Sequence, residues 1–425
     1  MSTEFNGKRI FDFIKKINFI RLGGTENEKK AANIIKNEFE SFGIAAYFHE
    51  FPIATSNNSI AELKFIDPYK KNIKITHRVI SGHTSTEGIT RRFKYIDSAG
   101  ERYCDDIEDK IVLMTGNLDR IVYERLVRHK VAAVLVPMNI HQELLTVGFD
   151  IDFVKKFGEL PICYISYHDA LEMVKNNISK IWLKIEDGVD FDATGINVVA
   201  EIKGSLRSDE EFYFIGHYDS VLNNGIYDNA AGTAYVLELA RHFNKFPPKR
   251  TIKFVLFSGE ELGLRGSKAY IAYLKKNANN LKHIKMVFNF DLGGTILGRN
   301  CVRITGPIEI FNFIDALNKI EDWDFLVEND IYSSDNMPFG LEGVPSINFF
   351  RSALGIGHAP NDTIDHISPE SFNLIGEFAI KLTSGIINAP ILPFKRRIGV
   401  KMAKKIKQYF ENCSPDEPDE EDEEL

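Results

Sequence analysis

The sequence contains little cysteine, and its cysteines are not arranged as metal ligands or as a disulfide framework. Only four occur among 425 residues, and none stands in a CxxC pair. This scatter argues against both a thiolate zinc site and a fold held together by disulfide bonds.

Long apolar runs are also missing. No stretch of about 18 apolar residues is present to span a membrane. Residues 1–16 interrupt every apolar stretch with charge, which is not the pattern of a secretory signal. We therefore expect a cytoplasmic protein with no membrane partner.

The chain has no excess of basic residues, since its net charge is −8. Residues 414–425 hold eight acids and no base, which leaves 52 acids balanced by 52 bases in the rest. A neutral body argues against nucleic-acid binding, because nucleic-acid-binding domains are normally basic.

The remaining composition, with 44% hydrophobic residues, is typical of a globular protein of two or three domains. Thr25 to Glu28 has capping-box spacing and predicts the start of a helix that Gly43 ends. Strand and helix patterns alternate through 60–188 and again, more strongly, from Asn197.

These patterns predict an α/β fold with a mostly parallel central sheet flanked by helices, and a smaller α/β or β-rich inserted domain. The predicted segments are a first part of the catalytic domain (1–59), the insert (60–188), the main catalytic part (189–394), and a basic helix with a disordered acidic tail (395–425).

Histidine and acidic residues follow the apolar strands of the second half. The strand FYFIG runs into His217 and Asp219, TIKFVLFSG runs into Glu260 and Glu261, and IKMVFNF runs into Asp291. Asp228 opens a helix after the first of these strands, and His358 follows the strand-like stretch VPSINFF. Because ligands bind outside the carboxyl ends of strands in open α/β sheets, we expect these side chains to converge.

This set suits two divalent metal ions. Nitrogen and carboxylate ligands without thiolates fit zinc, with cobalt or manganese as substitutes. The ligand count of a two-metal site is met by five residues: His217, Asp228, Glu261, Asp291 and His358. Glu260 is left beside a ligand, where it can act as general base, and Asp219 can orient the His217 imidazole.

Several motifs together resemble a known family, the di-zinc exopeptidases of the bacterial leucyl aminopeptidase, aminopeptidase Y and glutamate carboxypeptidase type. The matching stretches are NVVAEIKGS, FIGHYDSV, GIYDNAAGTAYVLELAR, FVLFSGEELGLRGSKAY, NFDLGG, SSDNMPF and GHAPNDTIDHI. The resemblance covers about 200 residues and the helix at 25–43. The segment 60–188 resembles a divergent protease-associated domain.

The resemblance implies a phosphorylase/hydrolase-like fold in which Asp228 bridges two metals. One metal would also bind His217 and Asp291, and the other Glu261 and His358. Glu260 would then be the base for a water that attacks the peptide carbonyl.

The sequence departs from the family pattern near the substrate pocket, where Asn336 replaces a usual histidine, Ala359 a threonine, and Gly357 a tyrosine found in some carboxypeptidases. Three residues are candidates for binding the substrate or stabilising an oxyanion: Tyr332, Asp335 and Arg351. Tyr332 could instead pack in its loop, and Arg351 could be a structural charge.

The leading hypothesis is a metal-dependent aminopeptidase acting on peptides. The alternatives are a carboxypeptidase or a single-zinc glutaminyl cyclase on the same scaffold, and a non-catalytic binding protein. The oligomeric state stays open, a homo-oligomer being one option. The terminal basic segment is interpreted as a solvated amphipathic helix, and truncation after Pro393 is then expected to leave activity intact. The alternative is an assembly or partner contact in which the acidic tail folds back onto the basic residues.

Overall fold

The computed structural model describes residues 5–277, 281–353 and 355–413. Helices α1 to α11 are, in chain order, Gly7–Ile14, Glu26–Ser41, Arg120–Arg128, Ile151–Phe157, Tyr167–Lys175, Ala231–Lys245, Arg265–Asn277, Ile308–Ile320, Asn336–Leu341, Asn373–Asn388 and Val400–Cys413. Strands β1 to β15 are Ala46–Asp67, Lys71–Ile73, Ile75–Val79, Ile89–Ile96, Ile111–Met114, Ala133–Pro137, Val147–Gly148, Ile162–Ile165, Lys180–Ile202, Arg207–His217, Arg250–Phe257, Ile284–Phe290, Arg299–Thr305, Leu326–Asn329 and Ser346–Ser352. Within the described ranges, every helix is too short or too polar to cross a membrane.

Contacts between residues divide the chain into two units. Among the described residues, the first unit comprises those up to Ile53, 193–357 and 361–406, and the second comprises 54–192, 358–360 and those from Lys407 onward. The boundaries of the inserted domain at 60 and 188, and its likeness to a protease-associated domain, stay predictions. The acidic tail lies outside the described residues.

The sheet of the first unit has the strand order β14-β13-β15-β12-β10-β11-β9. Four neighbouring strands, β11, β10, β12 and β15, run parallel, whereas β9 and β13 are antiparallel to their neighbours in this group. The sheet is therefore mixed with a parallel centre, which confirms the predicted fold class.

Strand β10 is buried on both faces of this sheet. Phe212 and Phe214 belong to the apolar core that contains helices α1, α2, α6 and α10. Tyr213 and Ile215 point the other way, into the core formed with α7 and α9. Side chains alternate along a strand, so helices on both faces account for its nearly continuous apolar sequence.

Helix α2 begins as its sequence predicts. The Thr25 side chain accepts a hydrogen bond from the backbone N–H of Glu28, and Gly43 follows the helix with a φ of 83°. Glu28 does not complete the capping box. Its carboxylate is buried and accepts hydrogen bonds from the Ile196 backbone N–H and the Tyr218 hydroxyl instead.

The second unit is an α/β domain. Its strands have the order β4-β5-β6-β8-β3-β7, with the first part of β9 beside β4. The pairs β4–β5, β5–β6 and β6–β8 are parallel. The hydrophobic patterns of this segment predict strands at 110–116, 131–138 and 161–166 and helices at 120–130 and 168–177. The structure confirms all five, each end within two residues.

The predicted terminal helix exists as α11, but it is not solvated on all sides. Met402 and Ile406 are buried, and Ile398 precedes the helix. Just before it, the Arg396 guanidinium donates hydrogen bonds to the backbone carbonyls of Ile284, Leu281 and Glu342. The helix is therefore amphipathic as predicted, with an apolar side that is buried and basic residues, such as Lys401, Lys404 and Lys405, that are exposed.

Candidate metal centre

Four of the predicted metal ligands lie together at the carboxyl edge of the first unit's sheet. Ligand atoms of His217, Asp228 and Glu261 all lie within 4.8 Å of one another. The Nε2 atom of His217 is 3.2 Å from an Asp228 oxygen and 3.3 Å from an Asp291 oxygen. All four side chains are buried, so the strand-end pattern brings them into one cluster.

The sheet explains this convergence. His217 is the last residue of β10, and it pairs in register with Phe257 at the end of the adjacent β11. Glu261 follows β11 after a turn, and Asp291 directly follows β12 on the other side of β10. The parallel strands thus deliver all three side chains to the same edge.

Asp228 reaches the cluster from the turn 226–230 that leads into α6. Its backbone is extended, with φ −125° and ψ 85°, and not helical. The following Asn229 donates a hydrogen bond to the Phe290 carbonyl and accepts one from the Gly232 N–H. These bonds fix the start of α6 against the end of β12, beside Asp291.

Asp219 lies beside the His217 imidazole, and it also binds the turn that carries Glu260 and Glu261, a contact that the sequence analysis did not predict. One of its oxygens lies 3.5 Å from the Nδ1 atom of His217. Its carboxylate accepts hydrogen bonds from the backbone N–H groups of Glu260 and Glu261, both at 3.3 Å. Asp219 therefore holds the turn after β11 as well as facing the imidazole.

The electrostatics of the cluster favour a bound cation. Burial lowers the pKa of His217, but the carboxylates of Asp291, Asp219 and Asp228 outweigh it and raise the pKa well above its ordinary value. A proton is thus drawn to a place where acids converge with little solvent. Buried charges of one sign are costly unless they are paired or bind a metal, so this donor set fits a divalent ion.

Glu260 is partly exposed beside these ligands. Burial raises the pKa of Glu260 well above its ordinary value, and the neighbouring Glu261 carboxylate adds to this, whereas His217 opposes it. A carboxylate with a raised pKa that borders a cluster of candidate metal ligands has the properties of a general base.

Tyr332 is buried, and its hydroxyl donates a hydrogen bond to the backbone carbonyl of Asp291 at 2.9 Å. Its ring packs on Phe350 with a centroid distance of 5.0 Å. The hydroxyl proton is therefore engaged with the backbone of Asp291, one of the candidate ligands, and does not point to a substrate oxyanion. This favours the interpretation that Tyr332 packs in its loop.

Arg351 is engaged within the protein. Its guanidinium donates hydrogen bonds to the backbone carbonyls of Thr295 and Ile296 and to the side-chain oxygen of Asn300. These contacts link the end of β15 to the loop before β13, as expected for a structural charge.

Asp335 is fully buried at the start of α9. In the described part of the chain, neither of its carboxylate oxygens has a hydrogen-bond partner. Burial raises its pKa to about 7, an effect that His217 opposes and Asp219 reinforces. Its predicted substrate role stays a prediction.

His358 lies in the loop after β15, within the residues assigned to the second unit. Its φ is 59°, and its backbone carbonyl accepts a hydrogen bond from the Thr146 N–H at 3.0 Å. Its role as fifth ligand stays a prediction.

Two residues behind the ligands were missed by the sequence analysis. Asp362 belongs to the motif HAPNDT, so its position beside His358 could have drawn attention to it. Arg21 stands in IRLGG, where a single arginine gives no signal of burial. Both side chains are fully buried and bind the backbone between His217 and Asp228.

Several known proteins resemble this chain. Residues 197–383 match the model of peptidase family M28. Aminopeptidase YwaD of Bacillus subtilis is 24% identical over 409 residues, covering 92% of this chain and 86% of the relative. Carboxypeptidase Q of Xenopus laevis is 26% identical over 388 residues, covering 83% of this chain and 80% of the relative.

Among solved structures, the zinc aminopeptidase BSAP from Bacillus subtilis has a TM-score of 0.73 at 23% identity. The match covers 90% of this chain and 96% of that one, which shows a shared fold. Residues 197–383, a little under half of the chain, are therefore similar to peptidase family M28.

Proposed function

We propose that this peptide hydrolase is a metal-dependent aminopeptidase, which removes residues from the N-termini of peptides. The observation that carries the proposal is the buried cluster of His217, Asp228, Glu261 and Asp291, with Glu260 beside it. The similarity to relatives named aminopeptidases supports the choice of substrate end.

We propose that the cluster holds two zinc ions, with cobalt or manganese as substitutes. Asp228 would bridge the ions, His217 and Asp291 would complete one site, and Glu261 with His358 the other. Imidazole and carboxylate donors without thiolates suit these metals. Divalent ions held there would polarise the scissile carbonyl and lower the pKa of water.

The protein's own groups would then manage the proton. Glu260 would accept the proton of the attacking water and deliver it to the leaving amine, as a general base followed by a general acid. Asp219 would keep Glu260 in place, because its carboxylate accepts a hydrogen bond from the Glu260 backbone N–H.

The first prediction tests this role. The variant Glu260→Gln keeps the size of the side chain but cannot accept the proton, so kcat should fall by about 10²- to 10⁴-fold while the metal content is retained. Activity on amino-acid p-nitroanilides and metal analysis of the same samples measure both effects.

The neighbouring variant Glu261→Gln is the matched control. It makes the same chemical change one residue away, yet it should lower metal affinity, because Glu261 is a proposed ligand. A Glu260→Gln enzyme with nearly full activity would contradict the proposed mechanism.

A carboxypeptidase is the second candidate, favoured by the similarity to carboxypeptidase Q. A panel of free, N-blocked and C-blocked peptides, with and without chelator, separates the two. Cleavage that needs a free amine supports the aminopeptidase, and cleavage that needs a free carboxylate supports the carboxypeptidase. A single zinc ion per chain would instead indicate a glutaminyl cyclase, and no turnover of any substrate would indicate a binding protein.

A cytoplasmic location and a homo-oligomeric state also stay predictions of the sequence. Cell fractionation tests the first, and light scattering of the purified full chain tests the second.

A further inference from the structure

The carboxylate of Asp362 binds three successive backbone N–H groups. One oxygen accepts hydrogen bonds from Ile226 at 3.0 Å and Tyr227 at 2.7 Å, and the other accepts one from Asp228 at 3.1 Å. Asp362 is itself completely buried. The backbone at the proposed bridging ligand is therefore held by one side chain from 134 residues further along the chain.

Arg21 binds the same stretch through carbonyl groups. Its guanidinium, also completely buried, donates hydrogen bonds to the backbone carbonyls of Tyr218 at 2.7 Å, Asn224 at 2.6 Å and Gly225 at 2.9 Å. Two more hydrogen bonds, to Ile17 and Phe19, fix the guanidinium to its own segment.

The stretch between these contacts, residues 217–228, is here called the ligand loop. It begins with His217 and ends with Asp228, and it contains Gly225 with a φ of 51°. A Cβ atom at Gly225 would come within 2.5 Å of the Asp228 carbonyl oxygen and of the Ser220 side chain. The ligand loop is thus tightly folded, and its conformation decides whether its two terminal side chains reach one ion.

Nearly all polar side-chain contacts of Arg21 and Asp362 end on backbone. An ordinary surface loop does not need a buried arginine to bind its carbonyl groups and a buried aspartate to bind its amide groups. Here both side chains act on the loop that carries two proposed ligands, Arg21 at residues 218, 224 and 225 and Asp362 at residues 226–228. Groups that orient metal ligands in this manner commonly raise metal affinity and activity by about 10- to 100-fold.

We propose that Arg21 and Asp362 form a clamp that preorganises the ligand loop for metal binding. They are positioning residues, and they hold His217 and Asp228 at a common point before an ion arrives. This inference rests on the proposed metal centre.

The second prediction tests the Asp362 half of the clamp. In Asp362→Asn, an amide nitrogen replaces an oxygen that accepts a backbone N–H, so one donor faces another. Zinc affinity of the full chain, measured by competition with a chromophoric chelator, should fall by about 10- to 100-fold. Raising the zinc concentration should restore much of the activity, whereas it should not restore Glu260→Gln.

The matched control is Asp365→Asn, the same change at an exposed residue three positions away. It should bind zinc as the wild type does. Circular dichroism of each metal-free chain checks that it is folded. A folded Asp362→Asn chain that binds zinc within about threefold of wild type would overturn the clamp.

Arg21→Lys tests the other half against Arg250→Lys. Arg250 is equally buried and donates to the carbonyls of Ile387 and Ala389, but it stands at the start of β11, away from the strand ends that carry the ligands. Both variants should lower the Tm, and only Arg21→Lys should lower zinc affinity. Equal losses of zinc affinity would show a merely structural role and overturn the clamp.

Zinc binding by the wild type distinguishes a failure of the proposed metal centre from a failure of the proposed clamp. A wild-type chain that binds no zinc would overturn the metal centre and the clamp together. A wild type that binds zinc, with clamp variants that bind it equally well, would overturn the clamp alone.

Discussion

Glu28 is a buried acid that lies outside the proposed ligand set. One of its oxygens accepts hydrogen bonds from the Ile196 N–H and the Tyr218 hydroxyl. Burial raises its pKa from 4.5 to about 7, although the Tyr218 hydrogen bond acts in the opposite direction. The folded protein therefore retains a proton on Glu28 at pH values where the unfolded chain has lost it.

The third prediction follows from this difference. Because the pKa is raised on folding, the stabilising contribution is complete below about pH 4.5 and is lost as the pH rises through about 7. The free energy involved is about 3 kcal/mol. Glu28→Gln keeps an oxygen for both hydrogen bonds and cannot ionise, so its Tm should exceed that of the wild type at pH 8 and approach it at pH 5.

Thermal unfolding of both proteins from pH 5 to pH 8 measures the effect. The difference between the two Tm values matters, because other buried acids titrate in both proteins and cancel. Two parallel curves would contradict the prediction.

Most of the proposed ligands could be predicted from the sequence because they end or follow a recognisable apolar strand. His217 and Asp291 directly end or follow such strands, and a parallel sheet brings those ends together. The roles of Arg21 and Asp362 could not be predicted from the sequence, because both side chains bind backbone groups that come together only in the folded loop. Tyr332 was ambiguous for a similar reason, since its partner is a backbone carbonyl.

Helix α6 illustrates the same question for an element. Its first turn packs against the end of β12, and a Cβ atom at Gly232 would overlap with the Phe290 carbonyl oxygen and the Asn229 side chain. In the sequence, Gly232 and the alanines near it follow Asp228 and predict a close approach of the backbone here, which the structure confirms. The helix can therefore dock only with glycine at this position.

The fourth prediction compares two glycine-to-alanine changes in helices. Gly232→Ala should lower stability by about 1–3 kcal/mol because it overpacks the contact, and it should weaken zinc binding by displacing Asp228. Gly385→Ala, at an exposed site in α10 with open space around it, should raise stability by about 0.5–1 kcal/mol.

Tm values and zinc titrations of the two variants test this contrast. If Gly232→Ala were neutral in both measurements, the described packing of α6 against β12 would be wrong.

Most elements were predictable because their hydrophobic patterns agree with their final environment. The long strand β9 was not. The sequence predicts two short strands, at 181–186 and from Asn197, separated by a stretch rich in glycine and aspartate. Those residues disfavour strands, yet Lys180–Ile202 forms one strand. It pairs with β4 at its start, with β11 at its end and also with β1, and this pairing overrides the local preference.

At the scale of the whole molecule, the terminal helix and the acidic tail separate into different roles. Arg396, Met402 and Ile406 belong to the first unit. Met402 and Ile406 are buried there, and Ile406 lies 3.0 Å from the position of a Cβ atom at Gly340. The eight acids of residues 414–425 account for the whole net charge of −8.

The fifth prediction uses two truncations. Ending the chain after Pro393 removes the buried Met402 and Ile406 side chains, so stability should fall by about 3 kcal/mol or more and the Tm by several degrees. Ending it after Cys413 removes only the acidic tail, residues 414–425. The Tm and the activity should then be kept while the isoelectric point rises. Equal Tm values for the two truncated chains would contradict this assignment.

The clamp also bears on the order in which the chain becomes active. Arg21, the ligand loop and Asp362 leave the ribosome in that order, and the last of them follows the loop by more than 130 residues. Until Asp362 emerges, a nascent chain carries several proposed metal ligands without the contact that holds Asp228 in place. We therefore expect zinc to be acquired late in synthesis, so that an unfinished chain stays inactive as a peptidase while other newly made polypeptides are nearby.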